Sequence, residues 1–245
     1  MARIVCVANQ KGGVGKTTTA VNLSVGFAKA GRETLLVDLD PQCNATTAFG
    51  KTPAKRHPLV LRQPLRESIQ ETATKGLTLL PGSRSFQDAD AMEQGDADAI
   101  RSHLSGGVNA YDFVLIDCPP SLGRLTEAAL TASTEVLMPI QCEYFAMEGL
   151  TQMIQVIRRV MQEETNCLEF GGILLTMYDH RLELTREVDA EVRDFFGQIV
   201  FDTVIPRDVS VSEAPSHGLS AIDYAPRSKG TRAYIELCME VLDRE

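Results

Sequence analysis

The sequence predicts an α/β fold: a single doubly wound, mostly parallel sheet flanked by helices. Apolar runs of strand length alternate with amphipathic stretches of helix length along almost the whole chain. Most of the apolar runs are continuous, which is typical of parallel strands that are buried on both faces. Strand–helix–strand alternation favours right-handed crossovers, and these place helices on the faces of one sheet.

The predicted elements follow in order along the chain. Strands are predicted at residues 3–9, 34–40, 78–81, 112–118, 135–140, 171–176 and 199–204. Helices are predicted at residues 16–30, 122–132, 146–162, 184–196 and 229–244, with Gly31 placed to end the first of them. Residues 50–110 are the least regular and contain the acidic stretch 88–98, but nothing there resembles an independent domain.

Composition limits the classes of function. The net charge of −9 gives no overall basic surface of the kind that marks a nucleic-acid binder. The six cysteines lack C-x-x-C spacing, and Cys6, Cys118 and Cys142 lie in apolar runs, where thiols usually serve as small buried hydrophobes. This pattern argues against a disulfide framework and a structural zinc site. With no apparent signal peptide and no apolar stretch of about 20 residues, we expect a cytoplasmic protein.

The turn after the first strand has the composition of a phosphate-binding loop. Its glycines let the backbone approach phosphate oxygens, and the start of the following helix offers N–H groups to an anion. Lys16 would reach the β- and γ-phosphates, the Thr17 hydroxyl would ligate Mg²⁺, and Thr18 can reach the α-phosphate. An ordinary tight turn does not need these three side chains. The predicted nucleotide-binding loop comprises Lys11, Gly12, Gly13, Val14, Gly15, Lys16, Thr17 and Thr18.

This loop departs from the usual spacing G-x-x-x-x-G-K-[ST], which requires a glycine five positions before Gly15. Gln10 occupies that position, and Lys11 stands beside it. Two lysines packed against one loop repel each other unless a phosphate lies nearby. The second lysine therefore needs a charge partner of its own.

Residues 10–19 resemble the deviant Walker A loop of the ParA/Soj/MinD ATPases. The resemblance continues over nearly the whole chain: residues 36–46 resemble switch I, and residues 112–123 resemble the Walker B strand with switch II. Further matches lie at 143–150, 176–179, 204–207 and 212–218, and together they are most similar to the chromosomal Soj/ParA branch. The resemblance implies one P-loop ATPase domain over residues 1–245 that binds ATP or ADP with Mg²⁺. In that family the extra lysine, here Lys11, crosses a dimer interface to the partner subunit's nucleotide.

Three carboxylates are placed to serve such a nucleotide. Asp38 and Asp40 end one buried strand on the same face, and Asp117 follows another apolar run, as a Walker B aspartate should. Capping of the next turn remains an alternative for Asp38 or Asp40 taken alone. Asp117 would hold Mg²⁺ directly or through water. By resemblance Asp40 aligns the attacking water, so Lys11, Lys16, Asp40 and Asp117 are the predicted catalytic residues and Thr17, Asp40 and Asp117 the predicted metal site.

The segment after the metal carboxylate, with Pro119, Pro120 and Gly123, is interpreted as switch II. A segment that is attached directly after the metal carboxylate can sense the γ-phosphate and relax after hydrolysis.

The resemblance also implies an adenine site. It assigns this site to Met177, Pro206, Arg207 and Asp208. Relatives usually carry asparagine where this chain has Asp208, and an aspartate offers acceptors only, so backbone contacts to the base are expected to replace a side-chain contact. Glu148 is assigned to a contact with the extra lysine or with the nucleotide across the dimer.

Partition ATPases of this type bind DNA non-specifically as ATP dimers, and a ParB-like protein stimulates them. The resemblance therefore implies a homodimer that associates with the nucleoid when ATP is bound. Arg227, Lys229 and Arg232 are the candidate DNA contacts. Because residues 200–245 contain five basic and eight acidic residues, DNA binding is inferred mainly from the resemblance.

Three alternative functions share parts of this pattern. A MinD-like membrane switch needs a basic amphipathic C-terminal helix, whereas residues 235–245 are acidic, so we expect no membrane partner. A ParA-like ATPase that positions a protein cargo would share every nucleotide motif and stays open. A metabolic P-loop enzyme would need a substrate pocket or paired cluster cysteines, and the sequence indicates neither.

Overall fold

The computed structural model describes residues 2–61, 64–86, 94–143, 146–162 and 167–244. Within these ranges one sheet is formed by β1 (Arg3–Val7), β2 (Thr34–Asp38), β3 (Gln70–Glu71), β4 (Leu77–Leu80), β5 (Phe113–Asp117), β6 (Glu135–Gln141), β7 (Glu169–Tyr178) and β8 (Val200–Pro206). Their order across the sheet is β3-β4-β2-β5-β1-β6-β7-β8. Only the short edge strand β3 runs antiparallel to its neighbour in this described sheet. The predicted doubly wound, mostly parallel architecture is confirmed.

Helices cover both faces of the sheet. In the described ranges they are α1 (Lys16–Lys29), α2 (Asn44–Ala48), α3 (Gln94–Gly106), α4 (Arg124–Thr131), α5 (Ala146–Met161), α6 (Glu183–Phe196), α7 (Val209–Glu213), α8 (Ala221–Tyr224) and α9 (Lys229–Asp243). The sheet separates two hydrophobic cores. In one core α1, α2, α8 and α9 pack against one face of the sheet, and in the other α3, α4, α5 and α6 pack against the opposite face. None of the helices in the described chain combines the length and apolarity needed to cross a bilayer.

Successive residues of a central strand point into different cores. In β5, Phe113 and Leu115 pack in the core that contains α1, whereas Val114 and Ile116 pack in the core that contains α4. Because both faces are covered, every position favours an apolar side chain. This is the physical origin of the continuous apolar runs that predict the sheet.

The strand register aligns the functional segments at one edge. Val7 of β1 and Asp38 of β2 both pair with Asp117 of β5, so these three carboxyl ends lie level. On the other side of β1, Tyr178 of β7 pairs with Pro206 of β8. Ligands of open parallel sheets bind outside the carboxyl ends of the strands.

Several boundaries differ from the predicted ones. The strand predicted at 78–81 is β4, which begins and ends one residue earlier, and the strand predicted at 171–176 extends in β7 from Glu169 to Tyr178. The helix predicted at 122–132 begins only at Arg124, because Gly123 is an extended N-cap residue.

The sequence pattern does not predict β3, α2, α3, α7 or α8. Four of these elements have two to five residues, too few to show a period. In α3 the core contacts come from Ile100 and Leu104, one turn apart, so the apolar signal is weak. Much of the acidic stretch 88–98 lies outside the described residues.

Candidate functional site

The glycine-rich loop connects β1 to the start of α1. Gly13 and Gly15 have φ angles of +74° and +90°, in the left-handed region that favours glycine. Gly15 is also the N-cap residue of α1 and has no side chain, so it leaves the first N–H groups of the helix open to an anion. The loop therefore has the backbone geometry that a phosphate site requires.

Lys16 lies between this loop and the strand-end carboxylates. Its Nζ donates to the carbonyl oxygen of Lys11 at 2.9 Å, and the residue is only 6% exposed. Burial lowers the pKa of Lys16, while the charges of Asp117 and Asp40 oppose this shift. A buried ammonium held over an anion-binding loop is placed to bind phosphate oxygens.

Lys11 forms an ion pair that the sequence pattern does not predict. Its Nζ donates to Oε2 of Glu143 at 2.7 Å, just beyond the end of β6. The side chains are 40% and 45% exposed, so such a pair contributes at most about 1 kcal/mol. The side chain of Glu148, predicted to contact Lys11 or the nucleotide across the dimer, lies outside the described part of the structure. The sequence feature that could have indicated this pair is the position of Glu143 just after a strand, at the carboxyl edge of the sheet.

Asp117 is the least satisfied carboxylate of the site. It is fully buried, and among the described residues neither of its oxygens accepts a hydrogen bond of ordinary geometry. Burial and then the charge of Asp38 raise the pKa of Asp117 well above its ordinary value, against the opposing effects of Thr17 and Lys16. An unpaired buried carboxylate is costly unless a cation or donor completes it. The Asp117 carboxylate is therefore suited to bind a divalent cation.

Asp40 lies beside Asp117 and is also buried, with 5% of its surface exposed. Its Oδ1 accepts from the Gln42 N–H at 2.9 Å, which orients the carboxylate. Burial raises the pKa of Asp40, opposed by the Gln42 hydrogen bond and by Lys16. The structure thus brings together Lys16, Asp40 and Asp117, as the sequence predicts.

Asp38 has a different environment, because its carboxylate is already hydrogen-bonded. Oδ1 accepts from the Asp40 N–H, and Oδ2 accepts from both the N–H and the hydroxyl of Thr46 in α2, at 2.8 and 2.6 Å. Burial raises the pKa of Asp38 to about 6, and the Thr46 hydrogen bonds act against this rise. Asp38 therefore anchors α2, in the predicted switch I region, to the end of β2.

Two further groups complete this anchor. The Thr46 hydroxyl accepts from the Gly82 N–H at 2.8 Å, and a Cβ at Gly82 would lie 2.8 Å from the Asp38 carboxyl group. His57 is fully buried, and its Nδ1 accepts from the Leu59 N–H, so Nε2 donates to the Asp38 carbonyl oxygen at 2.9 Å. Burial lowers the pKa of His57 to about 4, which keeps the ring neutral at physiological pH.

Replacing Thr46 with valine should lower the free energy of unfolding by about 2 kcal/mol or more, because the Gly82 N–H and Asp38 both lose a buried partner. Thr46→Ser keeps the hydroxyl and should stay within about 1 kcal/mol of the wild type. Urea denaturation would measure both values. Equal stability of the valine and serine variants would contradict this role of the hydroxyl.

A cavity of about 410 Å³ adjoins the phosphate loop. All four predicted adenine-site residues line it: Met177, Pro206, Arg207 and Asp208. Met177 has a φ of +52°, a strained conformation of the kind found at ligand sites. The sequence pattern does not indicate the remaining wall, which is formed by Thr176, Ile205, Val209, Val211, Ser212 and Tyr234.

A larger cavity of about 640 Å³ lies at the opposite, amino edge of the sheet. Its two arginines are already engaged, Arg3 with Glu135 and Arg244 with Glu240. We therefore place the functional site at the smaller cavity, where the loop and the carboxylates converge.

The other predicted residues lie around this centre. Pro119 and Pro120 follow β5 after one intervening residue, and Gly123 precedes α4. The side chains of Arg227, Lys229 and Arg232 are exposed around the start of α9.

Comparison with known proteins identifies the family. An AAA domain family model matches residues 2–170. The chromosome-partitioning ATPase Soj of Treponema pallidum is 42% identical, covering 100% of this chain and 99% of that protein. The sporulation initiation inhibitor protein Soj of Bacillus subtilis is 43% identical, covering 98% of each.

A solved structure is also similar over the full length of the chain. Cobyrinic acid a,c-diamide synthase from Mycobacterium smegmatis, with bound ADP and magnesium, is 35% identical with a TM-score of 0.83, covering 100% of this chain and 95% of that one. The resemblance seen in the motifs thus extends over the full length of related proteins. The chain belongs to the ParA/Soj family of chromosome-partitioning ATPases.

Proposed function

We propose that residues 1–245 form one ATPase domain that dimerises around ATP, hydrolyses it slowly and acts in chromosome or plasmid partitioning. The observation that carries this proposal is the meeting of the phosphate loop, Lys16 and the unpaired Asp117 at one sheet edge. The related structure from Mycobacterium smegmatis contains ADP and magnesium, which supports the same ligands here.

The residues present fit a magnesium–nucleotide complex. Thr17 and Asp117 would hold Mg²⁺, directly or through water, with Asp40 beside them. Among the described residues, no group of three or more His, Cys, Asp or Glu side chains is arranged to hold a metal. Mg²⁺ commonly takes only one or two protein carboxylates and completes its shell with water and phosphate. When bound, Mg²⁺ would neutralise charge on the phosphate oxygens.

The nucleotide contacts follow from the loop. Its backbone N–H groups would surround the phosphates, with Lys16 at the β- and γ-phosphates and Thr18 at the α-phosphate. Asp40, oriented by the Gln42 N–H, would align the attacking water. The base would enter the 410 Å³ cavity beside Met177.

Dimerisation would exchange the partner of Lys11. Its ion pair with Glu143 is exposed and weak, so a phosphate of the other subunit's nucleotide can replace it. Glu148 would add a contact across this interface. Pro119, Pro120 and Gly123 would respond to loss of the γ-phosphate as switch II, releasing the dimer after hydrolysis.

We further propose that the ATP dimer binds double-stranded DNA non-specifically, associates with the nucleoid and is stimulated by a ParB-like activator. The exposed basic residues around the start of α9 support this, because two subunits would contribute two such groups. A membrane surface is a poorer match, since the exposed Ile235 and Met239 of α9 are each followed directly by a glutamate.

Replacing Arg227 or Arg232 with alanine should weaken DNA binding without changing ATP affinity. Each lost phosphate contact should reduce the slope of log K against log salt by about 1. Titration of DNA with and without ATP, at several salt concentrations, would measure both quantities. An unchanged slope in both variants would exclude this surface.

Two other functions predict different stimulation of the ATPase. A cargo-positioning ATPase would share the DNA dependence but respond to a different activator protein. The diamide synthase similarity favours testing a metabolic function as well: turnover would then depend on a carboxylic acid substrate and a source of amide nitrogen. Stimulation by DNA and a partner protein, with no response to small substrates, would support partitioning.

A further inference from the structure

Asp208 borders the proposed base cavity, but its carboxylate is engaged elsewhere. Oδ1 accepts from the Ser210 N–H at 2.9 Å and caps α7. Oδ2 accepts from the Gly230 N–H at 2.8 Å, in the first turn of α9. One side chain therefore caps the N-termini of two helices, and Gly230 lies 22 residues from Asp208 in the sequence.

These two helices form part of the cavity wall. Val211 of α7 and Tyr234 of α9 both line the cavity. Gly230 does not, yet a Cβ added there would lie 2.4 Å from Cγ2 of Val211 and 3.1 Å from Cβ of Asp208. The close approach of α9 to α7 thus requires glycine at position 230 and an acceptor at position 208.

The charge of Asp208 suits this position. A carboxylate interacts favourably with the positive end of a helix dipole, and here it meets two such ends. Burial acts to raise the pKa of Asp208, but the hydrogen bonds from Gly230 and Ser210 outweigh burial and hold the pKa below its ordinary value.

We propose that Asp208 is a positioning residue that clamps α7 to α9 and so shapes the base cavity, rather than a residue that contacts the base. This inference rests on the proposed binding of ATP at this site. It also links the cavity to the helix start that presents Lys229 and Arg232. The expected consequence is that the clamp determines affinity for the base but not for the phosphates.

Asp208→Ala gives a direct test, because alanine accepts neither the Ser210 N–H nor the Gly230 N–H and, unlike the asparagine of relatives, offers the base no side-chain contact. Gly230→Ala disturbs the same contact from a residue outside the cavity. Asp223→Asn is the control, because Asp223 lies on α8 and pairs with Lys29 at 2.8 Å.

The measurement compares affinities for ATP and for inorganic tripolyphosphate, each with Mg²⁺, by displacement of a fluorescent ATP analogue. Both clamp variants, Asp208→Ala and Gly230→Ala, should bind ATP roughly tenfold more weakly, a loss about equal to one hydrogen bond to a charged group. Their affinity for tripolyphosphate should stay within about twofold of the wild type, which also shows that the loop remains folded. The control should bind both ligands as the wild type does.

Unchanged ATP affinity in both clamp variants, or an equal loss of affinity for ATP and tripolyphosphate, would contradict the proposed role of Asp208. A wild-type protein that binds neither ligand would instead overturn the proposed function.

Discussion

Lys16→Ala is expected to abolish ATP binding, with a loss in affinity of at least about 100-fold. The ammonium would make charge-assisted hydrogen bonds to two phosphate groups, each worth about 1.5–3 kcal/mol. Equilibrium binding of a fluorescent ATP analogue would measure the loss.

Lys29→Ala is the matched control for this variant. Lys29 lies on the same helix and forms a partly exposed ion pair with Asp223, so its removal should leave ATP affinity unchanged. Thermal unfolding of both variants would show that the loss at Lys16 does not arise from unfolding. Micromolar ATP affinity in Lys16→Ala would refute the assignment of the phosphate loop.

Asp40→Ala is expected to bind ATP but to lose hydrolysis, so that the ATP dimer accumulates. Removing a group that orients the attacking water should reduce turnover by roughly 100-fold or more. Binding should persist, because the loop and Lys16 are unchanged. Phosphate release and light scattering with ATP and Mg²⁺ would measure turnover and dimer formation.

Asp40→Asn refines this experiment. Asparagine retains an acceptor for the Gln42 N–H and so keeps the local turn, but it removes the charge. If the carboxylate aligns water, both variants should be equally inactive, whereas a turn-forming role predicts recovery in Asp40→Asn. Asp202→Ala, at a fully exposed side chain, should hydrolyse ATP normally. A purely monomeric Asp40→Ala protein in ATP would contradict the assigned role.

The phosphate loop could be predicted in detail because its determinants are local. Gly13 and Gly15 supply left-handed backbone conformations within one short turn, and Lys16 and Thr17 follow in the first turn of α1. The central strands could be predicted equally well, since burial on both faces imposes an apolar residue at each position.

The contacts of the charged groups could not be predicted in the same way. The partner of Lys11 is Glu143, 132 residues away, and the partner of Asp208 is Gly230 on a different helix. Such pairs depend on which strand ends become neighbours, and a chain of apolar runs does not specify the order of its strands. The prediction that Glu148 contacts Lys11 or the nucleotide across the dimer is not tested by these contacts, and it remains a prediction.

The sequence by itself determined the α/β architecture, the anion-binding loop and the positions of the strand-end carboxylates, because each is encoded within a few consecutive residues. Only the tertiary structure decided how these carboxylates differ. Asp38 is satisfied by Thr46, whereas neither oxygen of the buried Asp117 accepts a hydrogen bond of ordinary geometry among the described residues. Strand register and burial produce that difference, and both arise only when distant segments pack together.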